Sequence, residues 1–131
     1  MAISYTTAGR GLVADLIDNT VLSATFYGAW GTGGSGTGST ATSSDTALQA
    51  EATEVRGTIV TSQPSAHINQ FVWTQTVTTS GGNTIEEAMV ANAATGGTCL
   101  IRLTHGALNL ATGDSVQYTI QLAQTAGWGM A

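Results

Sequence analysis

The strongest limit on the fold is a series of short β-type segments that fills the chain after Glu54. Clusters of glycine and small polar residues separate the segments, which are 55–61, 68–79, 85–91, 99–104 and 115–122. Strands at this spacing, joined by glycine-bearing turns, are typical of antiparallel sandwiches and barrels. From Val116 to Leu122 apolar residues alternate with glutamine and threonine, as in a strand with one buried face. The sequence therefore predicts an all-β fold, either an antiparallel β-sandwich or a jelly-roll-like barrel.

The N-terminal part of the chain predicts one short helix over residues 7–19. Thr6 or Thr7 can cap its start, although Gly9 and Gly11 weaken the first turn by up to roughly 1 kcal/mol each. The apolar residues recur every three to four positions, which places them on one side of a helix. These residues are Leu12, Val13, Leu16 and Ile17.

The next residues predict a strand, a loop and a second short helix. Residues 21–30 are rich in branched and aromatic side chains and predict a strand. Residues 31–44 consist almost entirely of glycine, serine and threonine, which indicates a flexible surface loop or an arm that packs on a partner. Asp45 then precedes a segment rich in helix formers, so a turn or two of helix is expected over 46–52. With a tail at 123–131, the 131 residues fit one domain.

Charge is scarce in this chain, which contains no lysine and has charged residues at only 8% of its positions. Its three basic residues, Arg10, Arg56 and Arg102, are dispersed, and the net charge is −5. Phosphate backbones and anionic membrane surfaces are bound by clustered lysine and arginine. We therefore expect neither nucleic acid nor a membrane to be a partner.

The lack of lysine also bears on how the sheet edges are protected. Exposed edge strands are commonly blunted by lysine, proline or inward-pointing charges, and the only proline here is Pro64. We infer that neighbouring subunits cover the edges, so that the chain is an obligate part of an assembly. Closure of the edges inside a barrel is the alternative.

Cysteine usage and hydropathy indicate a protein made and folded in a cytoplasm. The single cysteine, Cys99, lies in an apolar run and is expected to be a buried, inert thiol. The first ten residues lack the basic start and apolar stretch of a secretory signal. No apolar run approaches the roughly 18 residues that a membrane-spanning helix needs.

Two sets of residues partly match known binding sites, one for dinucleotides and one for metals, and both matches are incomplete. Residues 31–36 match the letters of the dinucleotide-binding glycine pattern, but more serine, threonine and glycine follow where a helix should begin. The phosphate-binding loop requires a lysine, which is absent. His67, His105 and Cys99 lack the close spacing of metal ligands. The sequence therefore predicts neither a cofactor nor a metal.

The sequence contains no recognisable arrangement of catalytic residues, so no enzymatic activity is expected. Glu86 and Glu87 are adjacent and would point to opposite faces of a strand, where they cannot serve one reacting centre. One of them can be buried and paired with Arg102 if strands 85–91 and 99–104 form a hairpin. The Gly-x-Ser-x-Gly pattern of a serine nucleophile is absent.

The three tryptophans raise the alternative of a carbohydrate-binding module, which would need exposed and coplanar aromatic rings. Trp73 and Trp30 lie in β-rich segments and are better explained as core residues. Trp128 lies beyond the last strand between two glycines, where it is expected to anchor the tail on a neighbouring subunit.

Seven short motifs follow one another between residues 30 and 122. They are Trp30-Gly-Thr-Gly33, Ser44-Asp-Thr-Ala-Leu48 with Glu51, Val55-Arg-Gly-Thr58, Thr84-Ile-Glu-Glu-Ala88, Asn92-Ala-Ala-Thr-Gly-Gly-Thr98, Leu100-Ile-Arg102 and Gly113-Asp-Ser115. In this order they resemble small virion proteins of tailed bacteriophages, in particular head-decoration (cement) proteins and related tail-fibre or collar modules. Such families imply β-rich, non-enzymatic and commonly trimeric building blocks.

The resemblance implies a capsid cement or decoration protein, a homotrimer that bridges adjacent major capsid subunits in the virion. A tail-fibre, collar or baseplate component is the alternative, and it differs mainly in copy number and location. The helix, the 31–44 loop and the tail are the expected contact regions. The candidate contact residues are Leu12, Leu16, Trp30, Thr32, Thr37, Trp128 and Met130.

Overall fold

The computed structural model describes residues 1–18, 25–34 and 38–123. Strands form 50% of the chain, in two antiparallel sheets with one short helix, which confirms the predicted all-β sandwich. The elements are β1 (Ala2–Tyr5), α1 (Thr7–Ile17), β2 (Tyr27–Gly31), β3 (Gly57–Thr58), β4 (Val60–Ser65), β5 (Ile68–Thr76), β6 (Asn83–Ala91), β7 (Cys99–Leu110) and β8 (Ser115–Ala123). Within the described residues, no helix combines the length and the apolar character that crossing a bilayer requires.

The two sheets face each other across the main core. The five-stranded sheet has the order β1-β7-β6-β2-β3, and the three-stranded sheet has the order β4-β5-β8. Both sheets contribute large apolar side chains to the space between them, because alternate residues of a strand point to the same face. These buried side chains include Trp30, Phe71, Trp73, Ile85, Val90, Leu103 and Ile120.

Strand β6 is buried on both faces, which explains its continuous apolar run. Ala88 and Val90 belong to the main core, while Met89 and Ala91 form a second cluster with Leu48. Leu48 comes from the segment between β2 and β3, so this segment covers the outer face of the five-stranded sheet. The molecule thus has a third layer beside β6.

Helix α1 lies against β7, and its start is fixed by Thr6. The Thr6 hydroxyl accepts a hydrogen bond from the Gly9 N–H at 2.8 Å and donates one to the Cys99 carbonyl. Of the two N-caps that the sequence allowed, Thr6 and Thr7, the structure shows Thr6. Gly9 is buried, and a Cβ atom placed on it would lie 2.6 Å from the Leu100 carbonyl oxygen. A glycine that seemed only to weaken the helix is what lets the helix approach the sheet.

We expect Gly9→Ala and Gly11→Ala to change stability in opposite directions. Gly9→Ala should lower the free energy of unfolding by about 1–2 kcal/mol, since the clash with the β7 backbone outweighs the better helix propensity of alanine. Gly11 has open space around its Cβ position, so Gly11→Ala should raise stability by up to about 1 kcal/mol. Urea unfolding midpoints of the two variants would measure this difference, and shifts of the same sign would contradict it.

Several predicted boundaries need correction. The predicted strand 55–61 is two strands, because the chain passes from one sheet to the other at Ile59, which is buried between β3 and β4. The strand predicted over 99–104 continues to Leu110, and β1 was not predicted. Of the predicted strand 21–30, the structure describes only 25–30, in which β2 begins at Tyr27.

The helix predicted over 46–52 is wrong. The segment is irregular, and the N–H groups of Gln49 and Ala50 donate to the carboxylate of Glu87 at 2.9 and 2.8 Å. A helix would need the same N–H groups for its own hydrogen bonds. A distant carboxylate therefore overrides the local helix propensity. Asp45 does accept a hydrogen bond from a backbone N–H, but from Thr42, which precedes it.

Candidate functional site

A buried ion pair joins the hairpin of β6 and β7. Arg102 Nη2 lies 2.7 Å from Glu87 Oε2, and the two side chains are 1% and 0% exposed. The register pairs Glu87 with Thr104 and Met89 with Arg102, which places Glu87 and Arg102 diagonally on one face. The pairing of one of the two adjacent glutamates with Arg102 is thus confirmed.

The Glu87 carboxylate also holds the covering segment on the sheet. It accepts hydrogen bonds from the N–H groups of Gly33, Gln49 and Ala50 as well as from Arg102. Arg102 in turn donates to the carbonyls of Gly33 and Ser39 and pairs with Asp45 at 2.9 Å. We call Glu87, Arg102 and Asp45 the buried charge cluster. Its groups are engaged with one another and with the backbone, which suits a structural role rather than acid–base chemistry.

The glycine pattern at 31–36 has an internal explanation in its described part. Gly33 gives its N–H to Glu87 at 3.2 Å, and a Cβ atom on Gly34 would lie 2.3 Å from the Cβ of Glu86. The glycines therefore allow the backbone to lie directly on β6. The N–H group that a phosphate ligand would need already has an anionic partner in the chain.

The other two arginines are also engaged within the chain. Arg56 makes two hydrogen bonds to the Glu51 carboxylate, at 2.7 and 2.9 Å, and donates to two backbone carbonyls. Arg10 lies over the ring of Tyr5, with 5.4 Å from the guanidinium carbon to the ring centroid. The three arginines therefore do not combine into a basic surface.

Glu54 ties the start of β6 to the main core. Its carboxylate accepts hydrogen bonds from the indole N–H of Trp30, the hydroxyl of Thr79 and the side-chain amide of Asn83. Partial burial acts to raise the pKa of Glu54, but hydrogen bonds from the Thr79 hydroxyl, the backbone of residues 54 and 78 and the Trp30 indole outweigh it and lower the pKa below its usual value. Partial burial also acts to raise the pKa of Asp45. Hydrogen bonds from Thr42 and Arg102 outweigh this effect, so the pKa of Asp45 is lower than its usual value.

The stability of the protein should therefore fall in acid. A carboxyl group whose pKa is lower in the folded than in the unfolded state contributes stability above its unfolded pKa, and this contribution is lost as the pH falls through the folded pKa. We expect the thermal unfolding midpoint to decrease between about pH 5 and pH 2. Glu54→Gln should be less stable than wild type at pH 7 and should lose less on acidification. Equal slopes for the two proteins would show that Glu54 does not contribute.

The residues considered as metal ligands lie apart. His67 occupies the turn between β4 and β5 with a φ of 68°. The Nε2 atom of His105 lies 3.0 Å from the Tyr118 hydroxyl, and its Nδ1 atom lies 2.8 Å from the Gly106 carbonyl oxygen. Cys99 is buried as predicted, and burial raises its pKa to about 12. No group of three or more potential metal ligands occurs among the described residues.

Trp30 and Trp73 belong to the core, as predicted. They are 1% and 2% exposed, and Trp73 stacks on Tyr118 with 4.9 Å between ring centroids. Two of the three tryptophans are thus unavailable for a sugar-stacking surface. Trp128 lies outside the described residues.

The described sheets have four edge strands, and three of them are blunted. Strands β1 and β3 have four and two residues, and β4 carries Pro64 and an irregularity in its register between Ser62 and Ser65. Strand β8 differs, since its nine residues pair in continuous register with β5 and include no charged residue and no proline. An edge of this kind is a template for another strand. Edge protection is thus weakest at β8.

An apolar groove runs between the edge strands β1 and β8. Its volume is about 360 Å³, and β7 forms its floor through Leu103, His105 and Leu108. Met1, Ile3 and Leu108 are 94%, 53% and 38% exposed, respectively. The sandwich is therefore open on this side, with apolar side chains beside the unprotected edge. We call β8 and this groove the open edge.

No protein-family model matches the chain, and no curated protein is significantly similar to it.

The predicted contact residues differ in how much of their surface is exposed. Leu12 and Trp30 are buried within the chain, at 6% and 1% exposure, and offer little surface to a neighbour. Leu16 is half-buried in an apolar cavity, and Thr32 is half-buried beside Ala50. Thr37, Trp128 and Met130 lie outside the described residues. None of the predicted contact residues that the structure describes belongs to the open edge. Strand order, which places β8 at the side of its sheet, is not visible in the sequence.

Proposed function

We propose that this chain is a non-enzymatic structural protein of a tailed-phage virion. Its role is that of a capsid cement or decoration protein, in which a homotrimer bridges adjacent major capsid subunits. The open edge is the observation that carries the proposal, because a long uncharged edge strand beside an exposed apolar groove is suited to assembly. The order of the sequence motifs supplies the phage context.

The distribution of polar groups supports an assembly role over a catalytic one. Asp45, Glu54, Arg56, Glu87 and Arg102 all make hydrogen bonds or ion pairs within the fold. The exposed face of β8 presents hydroxyl and amide side chains and, at its end, the methyl group of Ala123. Contacts of this kind are individually weak, and a repeated lattice of identical copies adds them through effective concentration.

Matched lysine pairs test whether β8 is an assembly edge. Thr119→Lys/Gln121→Lys places two charges on β8, while Val60→Lys/Ser62→Lys places two on β4, in the same two cross-strand rows of the same sheet. We expect the β8 pair to dissociate the oligomer and the β4 pair to leave it intact, as measured by light scattering after size exclusion. A wild-type protein that stays monomeric at high concentration would contradict the proposal.

Copy number tests the location in the particle. Quantitative mass spectrometry of the purified phage should count hundreds of copies of this chain per virion if it is a cement protein. A handful of copies would place it in the tail, fibre or baseplate and would overturn the cement role. Absence from the particle would overturn the virion role altogether.

A further inference from the structure

The two sheets have unequal widths, which leaves β1 uncovered on the side of the open edge. The register pairs Ile3 of β1 with Leu103 of β7, so these side chains lie on the same face of the five-stranded sheet. Leu103 belongs to the main core, so this face is the one that packs on the three-stranded sheet. Leu103 is 4% exposed, but Ile3 is 53% exposed. The three-stranded sheet therefore ends at β8 without covering β1.

The uncovered part of this inner face is apolar. Met1 and Leu108 line the same groove as Ile3 and are 94% and 38% exposed. Leu108 pairs with the buried Ile85, which places it on the same face. We call Met1, Ile3 and Leu108 the apolar step. Exposed apolar surface that is continuous in this way marks an interaction site.

Strand β8 borders the apolar step and offers backbone hydrogen bonds there. At the start of its ladder with β5, the Val77 N–H donates to the Asp114 carbonyl at 2.9 Å. Antiparallel strands exchange hydrogen bonds at every second residue, so the even-numbered residues of β8 bond to β5. The odd-numbered residues therefore direct their N–H and C=O groups away from β5, at the edge of the sheet. They are Ser115, Gln117, Thr119, Gln121 and Ala123.

We propose that the apolar step packs against the apolar step of a second copy of this chain, about a twofold axis that runs along the groove. Turning a copy over about this axis places its five-stranded sheet in line with the three-stranded sheet of the first copy. The β1 strand of each copy then lies beside β8 of the other, and the two Ile3 side chains face each other. Each layer of the pair holds one wide and one narrow sheet, so the unequal widths compensate.

The apolar step is complementary to itself in shape and in chemistry. The overhanging β1 of one copy fills the recess beside β8 of the other, since both features follow from the same difference in strand number. Burying the apolar surface of both copies is favourable. None of the described residues that line the groove carries a carboxylate or a guanidinium group, so the contact buries none.

Other arrangements of two copies fit less well. If β8 paired with β8 of a second copy in one sheet, each β1 would collide with the five-stranded sheet of the other copy. The inference rests on the proposed assembly role of the open edge and names the partner at that edge. The contact joins copies in pairs, so a homotrimer needs a second contact elsewhere on the chain.

Light scattering of the full chain tests the twofold contact. Ile3→Glu places a charge in the apolar step, so it should halve the mass of the wild-type oligomer and raise the dissociation constant at least about ten-fold. Ile17→Glu, at a position of α1 that is 80% exposed, should leave the mass unchanged. Both side chains are exposed in the single chain, so neither substitution should unfold it.

Cross-linking gives a second measurement that does not require the charged variant to fold. Packed sheets lie about 10 Å apart, beyond the reach of a disulfide, so Ile3→Cys should form covalent dimers with a short bismaleimide. Val60→Cys, at a 69% exposed position on the edge strand β4, is the control and should form several-fold fewer. Cys99 should stay unmodified in both variants, since it is buried and its pKa is raised to about 12.

Four results would overturn the proposal. A mass that falls to one third in Ile3→Glu would show that the apolar steps meet in a ring of three copies. Equal masses for Ile3→Glu and Ile17→Glu, or equal cross-linking of Ile3→Cys and Val60→Cys, would show that the apolar step is not an interface. An oligomer that dissociates with the β8 lysine pair but not with Ile3→Glu would retain the proposed assembly role and overturn only this inference.

Discussion

Glu87→Gln is expected to lower the free energy of unfolding by about 3–5 kcal/mol, although glutamine has nearly the same shape as glutamate. Both carboxylate oxygens are in use: Oε1 accepts from the N–H groups of Gly33 and Ala50, and Oε2 accepts from Gln49 and Arg102. Glutamine has one acceptor oxygen, so its NH₂ group would face N–H donors in either orientation. The substitution also leaves the guanidinium of Arg102 buried with only Asp45 as its ionic partner.

Chemical unfolding would measure this loss, with Asp15→Asn as the control. Asp15 is exposed on α1, so the same carboxyl-to-amide change there should shift stability by less than about 0.5 kcal/mol. The double variant Glu87→Gln/Arg102→Met should recover part of the loss, because it removes the uncompensated charge. Similar stabilities for Glu87→Gln and Asp15→Asn would contradict the role assigned to the buried charge cluster.

Gly28→Ala is expected to destabilise the protein by roughly 3 kcal/mol, at the upper end of the range for overpacking. A Cβ atom on Gly28 would lie 2.1–2.3 Å from three atoms of the Trp73 indole. The indole is buried and stacked on Tyr118, so it cannot give way without moving the core. The added methyl group would therefore push the two sheets apart at β2.

Gly106→Ala is the matched control for this variant, because Gly106 lies on β7 of the same sheet with open space at its Cβ position. Alanine there should be neutral or stabilising by up to about 1 kcal/mol. Thermal unfolding midpoints would compare the two. If Gly28→Ala proved as stable as Gly106→Ala, the packing of the Trp73 indole would not depend on a glycine at position 28.

The parts of the fold that depend on local pattern could be predicted from the sequence. The alternation from Val116 to Leu122 gave β8, and the spacing of Leu12 and Leu16 gave α1. The pairing of a glutamate with Arg102 followed from the expected hairpin, since two strands joined by a short turn lie side by side.

The parts that depend on distant contacts could not be predicted. Residues 46–52 have helix-forming composition, but the groups that decide their conformation belong to Glu87. Strand β1 has four residues, too few to show a period, and it forms by pairing with β7. The exposure of β8 at the side of its sheet is a property of strand order, which no local pattern encodes.

The segment covering β6 curls around an anion, much as a glycine loop curls around a phosphate, except that the anion is a side chain of the same protein. Its conformation therefore depends on Glu87 and Arg102, which the β6–β7 hairpin brings together. The outer surface of this layer is consequently determined from inside the protein, and a substitution at the buried Glu87 carboxylate would change that surface without altering an exposed residue.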